Sequence, residues 1–207
     1  MFSLFKRFSV VSSTALSFAF FAGAFVVLSF WFELYRSNVF SIDSSIDNIK
    51  PSINVRTSRY FGSISGKPKE NVKLTFDLDA DLTNLFNWNT KQVFVYLTAE
   101  YSGAKKPDTS SEVTFWDQIV KDKDHANLSL RNVKSKYSVW DIEDKISERD
   151  LTFKLHWNIQ PWVGNLVYGS TLSAHNISIE PRDTNSRSSS NDGRSAKKIR
   201  NKIAKQN

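Results

Sequence analysis

Polar and apolar positions divide the chain into regions of different period. Residues 8–32 form an unbroken run of 25 residues without a formal charge, opened by Lys6-Arg7 and closed by Glu33. At 1.5 Å per residue a helix of that length reaches about 37 Å, enough to cross a hydrocarbon core of ~30 Å with some tilt. Further on, the pattern switches to a period of two. Val72, Leu74, Phe76, Leu78, Ala80 and Leu82 alternate with Lys73, Thr75, Asp77, Asp79 and Asp81, as a half-buried strand requires. Residues 92–102 predict a second strand. Leu151, Phe153, Leu155, Trp157 and Ile159 predict a third, with Thr152, Lys154, His156 and Asn158 outward. Segments 112–120, 136–142 and 169–179 alternate less regularly but also read as strands. Lys67-Pro68, residues 103–107 and residues 161–164 punctuate the pattern. Residues 33–52 read as a connecting stem that turns into an edge strand near 53–60. Short, regularly spaced strands without a long amphipathic helix predict an all-β domain over 53–181, a sandwich or a barrel.

Two readings compete for the apolar run. A cleaved signal peptide has an apolar region of about 7–15 residues before a small-x-small site. Ala22-Gly23-Ala24 offers such a site, but Phe25 to Phe32 continues the apolar run beyond it, which favours an uncleaved signal anchor over residues 8–32. Lys6 and Arg7 precede the span and only Arg36 closely follows it, a bias toward a cytosolic 1–7 segment. Trp31 and Tyr35 suit the far interface, where amphipathic aromatic rings sit. Asn127-Leu128-Ser129 and Asn176-Ile177-Ser178 are glycosylation sequons. Such tripeptides arise by chance in Asn- and Ser-rich chains, yet two of them behind an anchor favour a lumenal domain. Ala15, Ala19 and Gly23 recur at i, i+4 and i+8 and so share one helix face. Small residues there let a second membrane helix approach closely, although a span rich in Ala and Ser shows such stripes by accident.

Composition then removes several chemistries. The chain has no cysteine, so cysteine proteolysis, thiol redox chemistry and cysteine-ligated zinc are excluded. The net charge of +7 is unevenly spread: residues 182–207 hold eight Lys/Arg and two Asp. Residues 33–181 hold 18 basic and 19 acidic side chains, which gives no basic footprint for nucleic acid. The basic tail 182–207 is poor in apolar residues and is expected to be disordered and solvated. Its Lys197-Lys198-Ile199-Arg200-Asn201-Lys202 stretch resembles a nuclear signal, which an anchored lumenal chain could not use.

Candidate chemistry is sparse, and no cofactor is expected. Asp77-x-Asp79-x-Asp81 opens like a calcium loop, but Leu82 and Trp88 stand where an EF-hand needs Gly and Glu. The plainer reading is the solvent face of a strand. His125, His156 and His175 show no metal-ligand spacing, and no Gly-x-Ser-x-Gly elbow is present. The 81–91 loop is less ordinary. It places Leu85, Phe86 and Trp88 among turn-forming asparagines, where a hairpin would carry polar residues. These side chains either cap the core or dock on a partner or the bilayer surface.

The block from Phe76 to Tyr101 (FDLDADLTNLFNWNTKQVFVYLTAEY) closely resembles the 22/23-kilodalton subunit family of the eukaryotic signal peptidase complex, also called subunit 3. Trp116-Asp117-Gln118-Ile119-Val120 and Leu155–Pro161 followed by Gly164 agree in order. The likeness covers the anchor and nearly all of 53–181, and the chain looks like a fungal member. It implies a single-pass type II protein of the endoplasmic reticulum membrane, with a glycosylated lumenal antiparallel β-sandwich. It also implies a non-catalytic structural subunit that supports a separate catalytic subunit beside the other small membrane subunits and the bilayer, without nucleic acid. Leu85, Phe86 and Trp88 are then candidate partner contacts, and Ala15, Ala19 and Gly23 candidate membrane-helix contacts. A membrane-anchored lumenal chaperone or cargo receptor is the alternative, because a sandwich does not specify function. Two departures stand out. Asp150-Leu151-Thr152 lacks the sequon that animal members carry at the corresponding place, which leaves Asn127 and Asn176. The basic tail runs past the family's usual end.

Overall fold

A computed structural model describes residues 3–57, 68–103, 108–141 and 145–178. The basic tail, residues 58–60 of the expected edge strand and Ile142 lie outside them. Helix α1 (Leu4–Arg36) has 33 residues and overruns the apolar stretch by about one turn at each end. The Ser3 side chain caps it by accepting from the Lys6 N–H at 3.3 Å, which satisfies one of the free donors of the first turn. Within the span, Ser13 and Thr14 donate to the Val10 carbonyl, Ser17 to Ser13 and Ser29 to Val26, all at 2.9–3.0 Å. These bonds return each hydroxyl to the helix's own backbone, so the polar side chains are compatible with hydrocarbon. Asn38, at φ 53°, is left-handed and ends the helix. A short 3-10 turn, Val39–Ser41, then leads to the first strand.

Among the described residues eight strands follow: β1 (Ser44–Arg56), β2 (Lys69–Asp81), β3 (Thr90–Ser102), β4 (Ser110–Val120), β5 (Asn127–Lys134), β6 (Val139–Trp140), β7 (Asp150–Pro161) and β8 (Val167–Ser178). One antiparallel sheet has the order β1-β2-β5, with β6 continuing the β5 edge of β2; the other has the order β4-β3-β7-β8. The alternating apolar rows of β2, β3 and β7 are buried between the sheets, including Phe76, Leu78, Val95, Leu97, Leu155 and Trp157 at 0% exposure. Each such side chain contributes about 1.5–3 kcal/mol by leaving water. The fold is therefore the expected antiparallel sandwich behind one apolar helix.

Three expectations need correction. The segment 33–52 is not a stem: α1 continues to Arg36, and β1 begins at Ser44 and pairs with β2 along its length. Its signal was weak because it is an edge strand with few buried side chains. It also contains Pro51, which edges tolerate, and a bulge next to left-handed Asn48. Strand β5 was not anticipated, because a register shift at left-handed Asn132 breaks its alternation. The 136–142 strand shrinks to Val139–Trp140. Where β1 meets β8, the buried Ser44 hydroxyl donates to Thr171 Oγ1 at 2.8 Å and the Leu172 N–H to Ile42 O at 2.9 Å.

Candidate functional site

The end of the sandwich nearest α1 gathers most of the unusual surface. Phe30 and Leu34, one helical turn apart, are each 1% exposed and join the sandwich core. Glu33 borders a groove of about 570 Å³ whose other walls include Phe86, Trp88, Thr90 and Lys121. The β2–β3 loop that supplies this wall is held tightly. Its 3-10 turn, Thr83–Leu85, is closed by the Leu85 N–H on Leu82 O at 3.0 Å. Asn87 Oδ1 then accepts from the Asn89 N–H at 3.0 Å and the Thr90 hydroxyl at 2.9 Å.

This geometry separates the three predicted contact residues. Leu85 is 0% exposed and belongs to the core, so it cannot meet a partner. The turn that aims it inward is a three-residue feature that composition alone does not specify. Phe86 is half-buried against the core, and Trp88 is 58% exposed. Leu85 thus caps the core, and Trp88 stands on the surface. The helix stripe is open: Ala15 and Ala19 are exposed, and a Cβ added at Gly23 would meet nothing within 4 Å.

The histidines do not converge on one constellation. His125 sits on an exposed turn, 3.9 Å from Asp122. His156 stacks on Tyr96 with ring centroids 5.2 Å apart, and its Nε2 lies 3.2 Å from Glu112. Burial against the sheet lowers its pKa, with the Glu112 charge opposing the shift. His175 Nε2 lies 3.4 Å from the Ser44 carbonyl, across the β1–β8 seam. Among the described residues, no three His, Asp or Glu side chains cluster to hold a metal ion.

The likeness runs from the helix through the last strand. Residues 1–182 match the family profile described as a signal peptidase subunit. The chain belongs to that family. Signal peptidase complex subunit 3 of Saccharomyces cerevisiae is 55% identical over 184 residues, covering 88% of this chain and 99% of the relative. The Debaryomyces hansenii subunit 3 is 48% identical over 172 residues, 83% of this chain and 90% of the relative. The human subunit 3 is 43% identical over 100 residues, 47% of this chain and 54% of the relative. The yeast relatives match over a longer stretch and at higher identity, in keeping with a fungal member of the signal peptidase subunit family.

Within this family member, the Asp77-Asp79-Asp81 row has a structural employment. Asp77 accepts from the Asn132 N–H at 2.6 Å and from Asn48 Nδ2 at 2.9 Å, and so ties together the two left-handed bulges that flank β2. Asp79 accepts from Arg131 at 2.7 Å and from the Ser129 hydroxyl at 2.9 Å. Asp81 takes the Thr83 N–H at 2.9 Å. For Asp77 the Asn132 amide is the main cause of a lowered pKa, for Asp79 the Arg131 guanidinium, and for Asp81 the Thr83 hydroxyl. Lowered folded values mean that their contribution is complete above the ordinary value of 3.8 and is lost as pH falls through the folded values. The thermal midpoint should therefore drop on acidification below about pH 4, and the drop should be shallower in an Asp77→Asn/Asp79→Asn variant. Equal slopes in calorimetry of the two proteins would contradict this role.

Both sequon asparagines lie at exposed strand positions, Asn127 opening β5 in one sheet and Asn176 on β8 in the other. In the sequence, residues 161–164 punctuate the strand pattern and close a block of the family resemblance. The structure exposes the apolar side chains of Trp162, Val163 and Leu166 around Gly164, whose backbone lies against Val27 of α1. A tryptophan within the uncharged stretch Pro161–Tyr168 was the available signal.

Proposed function

We propose that the chain is a non-catalytic, structural subunit of the endoplasmic reticulum signal peptidase complex. The observation that carries this reading is the match to subunit 3 over 99% of the yeast relative's length. In this role α1 is a type II signal anchor, residues 1–7 are cytosolic and the sandwich is lumenal. Asn127 and Asn176 are available for glycans. The partners are the catalytic subunit and the other small membrane subunits. Ala15, Ala19 and Gly23 face a neighbouring membrane helix, while Phe86 and Trp88 contribute to the lumenal contact. The non-catalytic reading is supported by the histidines, which serve a surface turn, an aromatic stack and the β1–β8 seam.

Depleting the chain should cause secretory precursors to accumulate with their signal sequences attached. Re-expression carrying Ala at His125, His156 and His175 should restore most processing. Normal precursor processing in depleted cells would refute the assignment. Purification in mild detergent should yield a protease partner at fixed stoichiometry; recovery of transient cargo alone would instead support a lumenal chaperone or cargo receptor.

A further inference from the structure

The β7–β8 loop makes direct contact with the membrane-spanning helix. Gly164, at the loop's tip, has φ +116°, a conformation that side chains rarely adopt. A Cβ there would come within 3.3 Å of Val27 Cγ2, so the loop lies against α1 at the level of Val27. Val27 precedes Glu33, the first charge after the span, by six residues, or about 9 Å along a helix. If α1 crosses from residue 8, the ~20 residues that fill ~30 Å of hydrocarbon end at Val27. The last apolar residues are then beyond what the hydrocarbon requires, and Phe30 packs into the domain instead.

The loop has the chemistry for that depth. Trp162 is 67% exposed, Val163 44% and Leu166 45%. Pro161–Tyr168 carries no charged residue. Lys91 places its ammonium 5.2 Å from the Trp162 ring centroid, the pairing of cation and amphipathic ring that suits the headgroup layer. The loop is also held in shape. Buried Asn89 donates to Val163 O at 2.8 Å and accepts from the Val163 N–H at 3.1 Å, while its own carbonyl accepts from the Trp162 N–H at 2.8 Å.

We infer that the 162–166 loop is a membrane-inserting wedge, seated at the boundary between headgroups and acyl chains of the leaflet from which α1 emerges. The occupant of this apolar surface is lipid, because Gly164 holds the loop against α1 at Val27, the level at which the span has filled the hydrocarbon. The inference rests on α1 spanning the membrane but not on the partners of the domain. It gives the sandwich a second attachment beside its anchor.

The absence of native cysteine allows a direct test. The full chain, reconstituted in phosphatidylcholine vesicles, is spin-labelled at Trp162→Cys or Leu166→Cys. Phe21→Cys marks the span and Lys73→Cys the solvent face of β2. Labels at 162 and 166 should resemble Phe21→Cys, with relaxation enhanced by oxygen several-fold more than by a water-soluble nickel chelate. Lys73→Cys should show the reverse. If 162 and 166 follow Lys73→Cys while Phe21→Cys remains oxygen-accessible, the wedge is overturned and the anchor stands, leaving the loop free for a protein partner. If the nickel chelate also reaches Phe21→Cys, the anchor itself fails, and the wedge with it.

Discussion

Replacing Arg149 with methionine is expected to destabilise the sandwich by about 3–5 kcal/mol, the range for removing one partner of a buried ion pair. Arg149 and Asp141 lie 2.9 Å apart, with side-chain exposures of 10% and 7%. The Asp141 carboxylate also accepts the Tyr101 hydroxyl at 3.1 Å, and its backbone carbonyl accepts from Lys69 at 3.3 Å. The guanidinium lies 5.5 Å from the centroid of the Tyr101 ring. Removing the cation leaves the carboxylate out of water without the guanidinium that faces it at 2.9 Å. For a domain of this size the thermal midpoint should fall by about 10 °C or more. Adding Asp141→Asn removes the stranded charge while keeping an acceptor for Tyr101, so the double variant should recover part of the loss. Equal midpoints for the single and double variants would show that the charge pair is not the origin of the effect.

Gly169→Ala should be nearly as damaging, although it adds one methyl group. A Cβ at 169 would lie 2.1 Å from Cζ2 and 2.5 Å from Cη2 of Trp157. Trp157 is 0% exposed, so its ring has no solvent-side space into which to retreat. Overpacking of this kind costs about 1–3 kcal/mol and sometimes more, and a rigid indole puts this site at the upper end. Phenylalanine lacks both clashing atoms. It also lacks the indole Nε1, which is buried without a hydrogen-bond partner in this structure. The Gly169→Ala/Trp157→Phe variant should therefore be more stable than Gly169→Ala alone when measured by urea denaturation. A double variant no more stable than the single one would place the damage elsewhere.

The span and the strands β2, β3 and β7 were legible because each buries one side of a simple period. Strands β1 and β5 were hidden by the left-handed asparagines Asn48 and Asn132, which shift the period partway along the strand. The opposite fates of Leu85 and Trp88 depend on a single 3-10 turn, which the intervening asparagines permit without dictating. Trp162, Val163 and Leu166 gain their meaning only from flanking Gly164, which lies against Val27. No local pattern could reveal that neighbour, because it is set by how β7 and β8 return the chain to the helix.

Val39 and Ile42 are buried between α1 and β1, so the helix enters the sandwich without slack. A joint of this kind makes the protein a lever with the bilayer at its short arm. A helix longer than the local hydrocarbon thickness responds by tilting. The 13 residues of β2 extend about 43 Å. A tilt change of ~10°, within the range that membrane helices show, would carry the far end of the sandwich sideways by roughly 7 Å. With β2 standing along the membrane normal, local membrane thickness would set the lateral position of the distal loops.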